Sequence, residues 1–282
     1  AKSAEGEDTY SVVFQNGQAD QSSLIQITAQ MLSEADVIIP IATPAVFPVQ
    51  EQTAEQADDE RIPVVFSAVS DPVSAGLVDS MDAPGANITG TSDALNTGAI
   101  LDLMFVADPT IECVGLLYDK SQDSSAQPIE EAKAYLDGKG VKYIEASGTN
   151  TLEITQAAQS LAADGVKAVF TPTDNTIMTA ELALYEIFTE NGIAHYCGAN
   201  SFALNGAFCG YGVDYTVLGQ ATADLAIEVL HGADPAVTPV QTFDNGIATI
   251  NTETAEALGL DYSGFAEFCT AVEEVVTQEE FE

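Results

Sequence analysis

From Ser11 onward, nine short β-rich runs alternate with helical patterns, and few folds accommodate that alternation. The runs are Ser11–Asn16, Val37–Ala42, Val64–Val69 and Ile88–Ser92, then Cys113–Tyr118, Lys142–Ala146, Ala168–Pro172, Ala194–Gly198 and Ala207–Tyr211. Strand, helix and strand in succession make a parallel pair joined by a crossover, so the chain is expected to be an α/β protein built on parallel sheets. At 282 residues it exceeds one ordinary domain and has room for two lobes, each with its own core. A helical segment from about Leu95 to Val106, closed by Ala107-Asp108-Pro109, separates the first four runs from the next five and marks the first passage between lobes.

The helix signals place polar residues where strands end. Leu24, Ile27, Met31 and Leu32 recur at helical spacing behind Asp20 or Ser22 as a cap. Thr43-Pro44 fits an N-cap followed by proline at the first helical position, and Asp174-Asn175-Thr176 precedes the periodic Ile177, Leu184, Ile187 and Phe188. Tyr215 to His231 reads as a long helix stopped by Gly232. A short strand over Gly246–Ile250 and a short helix over Thr252–Leu258 follow, and the acidic stretch Glu273 to Glu282 reads as a frayed helix or disordered tail. In open α/β sheets ligands sit beyond the carboxyl ends of strands, so the polar residues there are ligand candidates as well as caps.

Charge narrows the partners. The chain carries 44 acidic against 7 basic side chains, a net charge of −37, which repels nucleic acid and anionic lipid and favours solubility. Arg61 is the single arginine and reads as a surface residue at a strand entrance, so a guanidinium fork on a ligand carboxylate is nearly excluded. A bound carboxylate must rely on hydroxyls and backbone N–H groups. The four cysteines, Cys113, Cys197, Cys209 and Cys269, lack paired zinc or redox spacing, and no metal or cofactor is expected. A Cys197–Cys209 disulfide stays open beside buried free thiols. No apolar run reaches membrane-spanning length. The polar start Ala1 to Asp8 is no signal peptide, leaving a cytoplasmic protein or a mature, trimmed one.

The blocks Phe14-Gln15-Asn16-Gly17-Gln18-Ala19-Asp20-Gln21, Ile41-Ala42-Thr43-Pro44-Ala45, Val64 through Val78 and Pro84 through Gly90 are similar to one family. Val114 through Tyr118, Pro172-Thr173-Asp174-Asn175-Thr176 and Tyr211-Gly212-Val213-Asp214-Tyr215 continue the likeness, which runs from about Glu5 to Leu260. The chain thus resembles the ABC-transporter substrate-binding proteins of the tryptophan and aromatic amino-acid group, with the periplasmic-binding-protein type I fold. The resemblance implies two doubly wound parallel-sheet lobes joined by a hinge and closing on a ligand between them. It divides the chain into residues 1–98 with about 213–245, and about 99–212 with 246–282. It also implies a first strand and helix ahead of Phe14-Gln15-Asn16, whose absence here reads as a trimmed chain.

By the same resemblance, Thr43 with the amides behind it suits the ligand carboxylate, and Ser70, Thr91 and Ser92 offer further hydroxyls. Asp174 and Asp214 suit the ammonium, with Asn175 as neutral partner, and Phe14, Phe66, Phe202 or Tyr211 could wall an aromatic side chain. The implied role is an extracytoplasmic solute-binding protein, lipid-anchored or periplasmic, serving the permease and ATPase of an ABC importer. A sensory receptor for a sugar, nucleoside or signalling molecule is the alternative of the same fold, and the lack of tryptophan weighs against sugar stacking. An enzyme is disfavoured: His195 lies in a strand, His231 closes a helix, and no GxSxG, Walker A, HExxH or GxGxxG motif occurs.

Overall fold

The computed structural model describes residues 10–18, 20–57, 61–243 and 246–278. In chain order the elements begin with α1 (Gln21–Met31), α2 (Thr43–Ala54), β1 (Val64–Phe66), β2 (Ile88–Ser92) and α3 (Thr97–Ala107). They continue with β3 (Cys113–Tyr118), α4 (Asp123–Lys139), β4 (Lys142–Ser147), α5 (Thr151–Ala163), β5 (Ala168–Thr171), α6 (Asn175–Met178) and α7 (Glu181–Glu190). Then come β6 (Ala194–Cys197), α8 (Asn200–Leu204), β7 (Cys209–Gly212), α9 (Tyr215–Leu230), β8 (Gln241–Thr242), β9 (Ile247–Asn251), α10 (Thr252–Leu258) and β10 (Ala271–Val275). They fall into two compact units: Ala1–Ser92 with Tyr215–Thr242, and Asp93–Asp214 with Phe243–Glu282.

The first unit holds the parallel sheet β1-β2-β8. Its β1 and β2 pair with Phe66 opposite Gly90, and a Cβ on Gly90 would stand 2.2 Å from the Phe66 carbonyl oxygen, so only glycine fits. Ile38, Val46, Val64, Phe66, Leu77 and Ile88 form one apolar cluster, while Leu225, Ala226 and Val229 of α9 cover Val65 from the other side. Because both faces of β1 are covered, its three residues are all buried, as a parallel strand between helices requires.

Two expected strands of this unit do not form as such. Ser11–Asn16 makes no ladder, and Val12, Val13 and Phe14 face solvent; among the described residues no strand lies against this run. Val37–Ala42 is reduced to two bridges, Ile38 to Val64 and Ile41 to Ser67, with Ile39 and Ile41 exposed. Paired on one flank only, that run does not reach the regular spacing of a full strand.

The second unit carries a seven-stranded sheet ordered β10-β9-β7-β6-β5-β3-β4, parallel throughout except where β7 meets β9. Buried Leu116, Phe170, Tyr196, Phe208 and Ile250 belong to its core, and the Phe208 ring stands edge-on to Tyr196 at 5.3 Å and to Phe265 at 6.2 Å. The acidic end departs from expectation: Ala271–Val275 is a strand parallel to β9, not a helix or a loose tail. As an edge strand it keeps Glu273 and Glu274 exposed to solvent, which is how acidic side chains are accommodated in a sheet. Residues 279–282 of that stretch lie outside the described residues. Cys197 and Cys209 are buried free thiols. Among the described residues no helix is long and apolar enough to cross a membrane.

Candidate functional site

The polar residues singled out by sequence sit near the carboxyl ends of strands in each unit. In the first unit Thr43 is the first residue of α2 and buried; Ala42, not Thr43, holds the N-cap position. Ala42 has φ 65° and ψ 151°, a region natural to glycine, and Ala68, just past the neighbouring run, has φ 55°. The Ala42 N–H donates to the Ser67 carbonyl at 2.9 Å, which ties the two bends together. Strained backbone of this kind costs about 1–3 kcal/mol per residue and collects at ligand clamps.

The hydroxyls nearby divide by what they hold. Thr222 of α9 donates to the Leu218 carbonyl at 2.9 Å, which uses its one hydrogen. Its oxygen therefore accepts from both Thr91, at 2.8 Å, and Ser67, at 3.0 Å. Thr91 is thus committed inside the unit, fastening β2 to α9. Ser92 is buried and donates to the Ser70 carbonyl at 3.2 Å, while Ser70 itself is half-buried. Thr222 and Ser67 were not foreseen, because a threonine in mid-helix and a serine past a strand carry no mark in sequence of being joined.

In the second unit Asp174 caps α6: one carboxylate oxygen accepts from the Thr176 and Ile177 N–H groups, each at 3.0 Å. The other accepts from the Asp119 N–H at 2.8 Å and the Ser125 hydroxyl at 2.7 Å. Four donors fill the carboxylate, so Asp174 serves its own unit before any ligand. Burial pushes its carboxyl above the ordinary value, and the bonds from Asp119, Ser125 and Ile177 pull partly back. Asp119, missed in sequence, accepts from Ser121 and from the Thr176 hydroxyl, so two buried acids gather the turns after β3 and β5. Asn175 is half-buried, with its amide nitrogen 3.3 Å from the Gln122 side-chain oxygen. Asp214 is exposed and stands immediately before α9.

The four aromatic candidates differ in burial. Phe66 and Tyr211 are packed in the cores of their own units, and Phe202 is buried with its ring edge-on to His195 at 6.3 Å. Strand and helix positions facing inward are filled first by large rings, so these three present no free face. Phe14 is exposed. Arg61 is half-buried rather than a plain surface residue, and its guanidinium stands 3.4 Å from the Gln56 carbonyl. The cluster that sequence overlooked is Glu181, His195 and Cys197, all buried, whose polar atoms lie within 4.8 Å of one another.

Mainly parallel sheets with polar side chains at the carboxyl edges of their strands have the periplasmic-binding-protein type I architecture. The family model of ABC transporter substrate binding proteins matches residues 2–265, and the chain belongs to that family. It is 32% identical over 254 residues to a tyrosine-binding protein of Clostridioides difficile (strain R20291), covering 90% of this chain and 72% of that one. Among solved structures it is similar to an ABC domain in complex with L-Trp from Streptococcus pneumonia, with TM-score 0.85, 29% identity and coverage of 95% and 90% of the two chains. A conserved domain protein of Vibrio cholerae matches at TM-score 0.80 and 28% identity, over 91% and 85% of the two chains.

Proposed function

We propose that this chain is the extracytoplasmic solute-binding component of an ABC importer and captures an aromatic amino acid for delivery to the permease and ATPase, without altering it. The observation that carries the reading is the chemistry of the strand edges. Hydroxyls at Thr43 and Ser70, beside the bent backbone at Ala42 and Ala68, supply donors for a carboxylate, and Asp214 after β7 supplies charge for an ammonium. That is an amino-acid pattern, and the tyrosine-binding relative and the L-Trp complex support an aromatic one.

In this reading Thr43 holds the ligand carboxylate through its hydroxyl and the amides of the first turn of α2, and Ser70 assists. Asp214 pairs with the ammonium and Asn175 adds a neutral contact, while Asp174 keeps the turn after β5 in shape. Thr91 and Ser92 brace the first-unit edge from within. The protein works outside the cytoplasm, tethered by lipid or free in a periplasm, and its acidity keeps it soluble there.

Titration calorimetry with tyrosine, phenylalanine, tryptophan and a panel of other amino acids and sugars tests this. An aromatic amino acid binding at about micromolar or tighter, and recovered unchanged, is the expected result. If none binds more tightly than about millimolar, the reading is lost.

A further inference from the structure

Glu181 opens α7 with no exposed surface, and His195 in β6 is almost as enclosed. The His195 Nδ1 lies 2.9 Å from Glu181 Oε1, and Nε2 lies 2.8 Å from the Thr171 hydroxyl oxygen. Thr171 in turn is 2.9 Å from the Leu117 carbonyl, which can only accept. The one hydroxyl hydrogen of Thr171 is therefore spent on Leu117, and the contact with His195 needs a hydrogen carried by Nε2. On the other side of the ring, Nδ1 and the carboxyl oxygen can be joined only if one of the two carries a proton.

We propose that Glu181 and His195 hold a single proton between them, and that with it they position the carboxyl ends of β3, β5 and β6 for the ligand. The role in binding rests on the reading above; the shared proton does not. The mechanical link is short. Thr171 is the last residue of β5, Pro172-Thr173-Asp174 follows it, and its carbonyl accepts from the Gly198 N–H at 3.0 Å. Thr173 returns a hydroxyl bond to the Gly198 carbonyl at 2.9 Å. Glu181, His195, Thr171 and Leu117 thus form one line of hydrogen bonds across three neighbouring strands, with Thr171 three residues before Asp174 in the chain.

The surroundings favour retention of the proton. Burial pushes the Glu181 carboxyl up, His195 partly offsets it, and Oε2 has no partner among the described residues, so a bare carboxylate here is costly. The rings of Phe188, 5.0 Å from His195, and Phe202 keep water out. The other titratable neighbour on β6 is Cys197; burial, then Glu181, then Cys209 on β7 hold its thiol well above the ordinary value and therefore neutral. Thr171 is the contact from β5 and does not titrate. In the unfolded chain, a glutamate near 4.3 and a histidine near 6.5 have given this proton up above pH of about 6.5, whereas the folded pair keeps it. The folded state then binds more protons, so stability falls as pH rises, by about tenfold in the folding equilibrium constant per pH unit until the pair titrates.

The test compares the full chain with Glu181→Gln, whose amide N–H donates to Nδ1 without a titratable proton, and with Glu181→Ala, which leaves Nδ1 without a donor. Nitrogen NMR should find His195 protonated at Nε2 at neutral pH, and the unfolding constant of the wild type should rise relative to E181Q by about tenfold per pH unit above roughly 6.5. Tyrosine affinity should stay within about threefold in E181Q and drop about tenfold or more in E181A. Comparison at each pH cancels the titration of the ligand. Parallel pH profiles for wild type and E181Q, a ring protonated at Nδ1 with Nε2 bare, or wild-type affinity in E181A would each overturn the proposal. If the wild type binds no aromatic amino acid, the functional reading fails while the NMR and pH profiles still decide the shared proton.

Discussion

The carboxylate of Asp174 accepts the backbone N–H of Asp119 at 2.8 Å, so one buried acid anchors the segment that carries another. The arrangement is stable because each carboxylate faces N–H and O–H donors: Asp119 takes the Ser121 N–H, the Ser121 hydroxyl and the Thr176 hydroxyl. Replacing Asp174 with alanine strands four donors. We expect a loss of about 2–4 kcal/mol in chemical denaturation, with Asp174→Asn losing less because its side-chain oxygen can still cap α6.

Thr222 is the acceptor for two buried hydroxyls. Thr222→Val should cost about 2 kcal/mol, since Ser67 and Thr91 are left without a partner, whereas Thr222→Ser should stay near wild type. Amide hydrogen exchange resolves where the loss falls: β2 and α9 should open faster and β3 to β7 should not.

Tyr118 donates to Glu145 at 2.7 Å, and that bond, with Lys133 beside it, lowers the Glu145 carboxyl below its ordinary value. A lowered acid stabilises the fold above its unfolded value, and that contribution disappears as pH falls through the folded one. On the alkaline side, burial and then Glu145 push the Tyr118 hydroxyl up to about 12, so its contribution is intact below pH of about 10 and lost on the way to 12. Tyr118→Phe should cost only about 0.5–1 kcal/mol near neutrality, because Glu145 is a third exposed, and should flatten both limbs of the stability profile.

A net charge of −37 repels itself within each unit. Raising sodium chloride from about 20 to 500 mM shortens the screening length from roughly 20 Å to a few ångströms, so the midpoint of thermal unfolding should rise with salt and then level off. An unchanged midpoint would mean that the acids are too far apart on the surface to matter.

Sequence carried the fold well where a strand is covered on both faces. Runs such as Cys113–Tyr118 and Ile88–Ser92 are continuous apolar or small stretches between helical patterns, and they emerge with their expected limits. It failed where strand identity depends on a neighbour: Ser11–Asn16 has the right residues but no ladder, and Ala271–Val275, acidic and short, is a strand only because β9 lies beside it. The capping role of Asp174 was legible from its position before α6. Its bonds to Asp119 and Ser125 were not, since they join residues about fifty positions apart. Glu181 and His195 are 14 positions apart, in a helix and the strand after it, with nothing in sequence to mark them as joined, and the inward turn of Phe66 and Phe202 could not be told from an outward one by residue type alone.

The antiparallel meeting of β7 with β9 fixes an order of events during synthesis. The edge of the second unit at Cys209–Gly212 stays open while α9 and the strand at Gln241–Thr242 are being made for the first, and is covered only when Ile247–Asn251 leaves the ribosome. At roughly 5–20 residues per second that interval lasts some seconds. During it the chain presents a strand edge whose partner has not yet been made, open to mispairing with any other free edge.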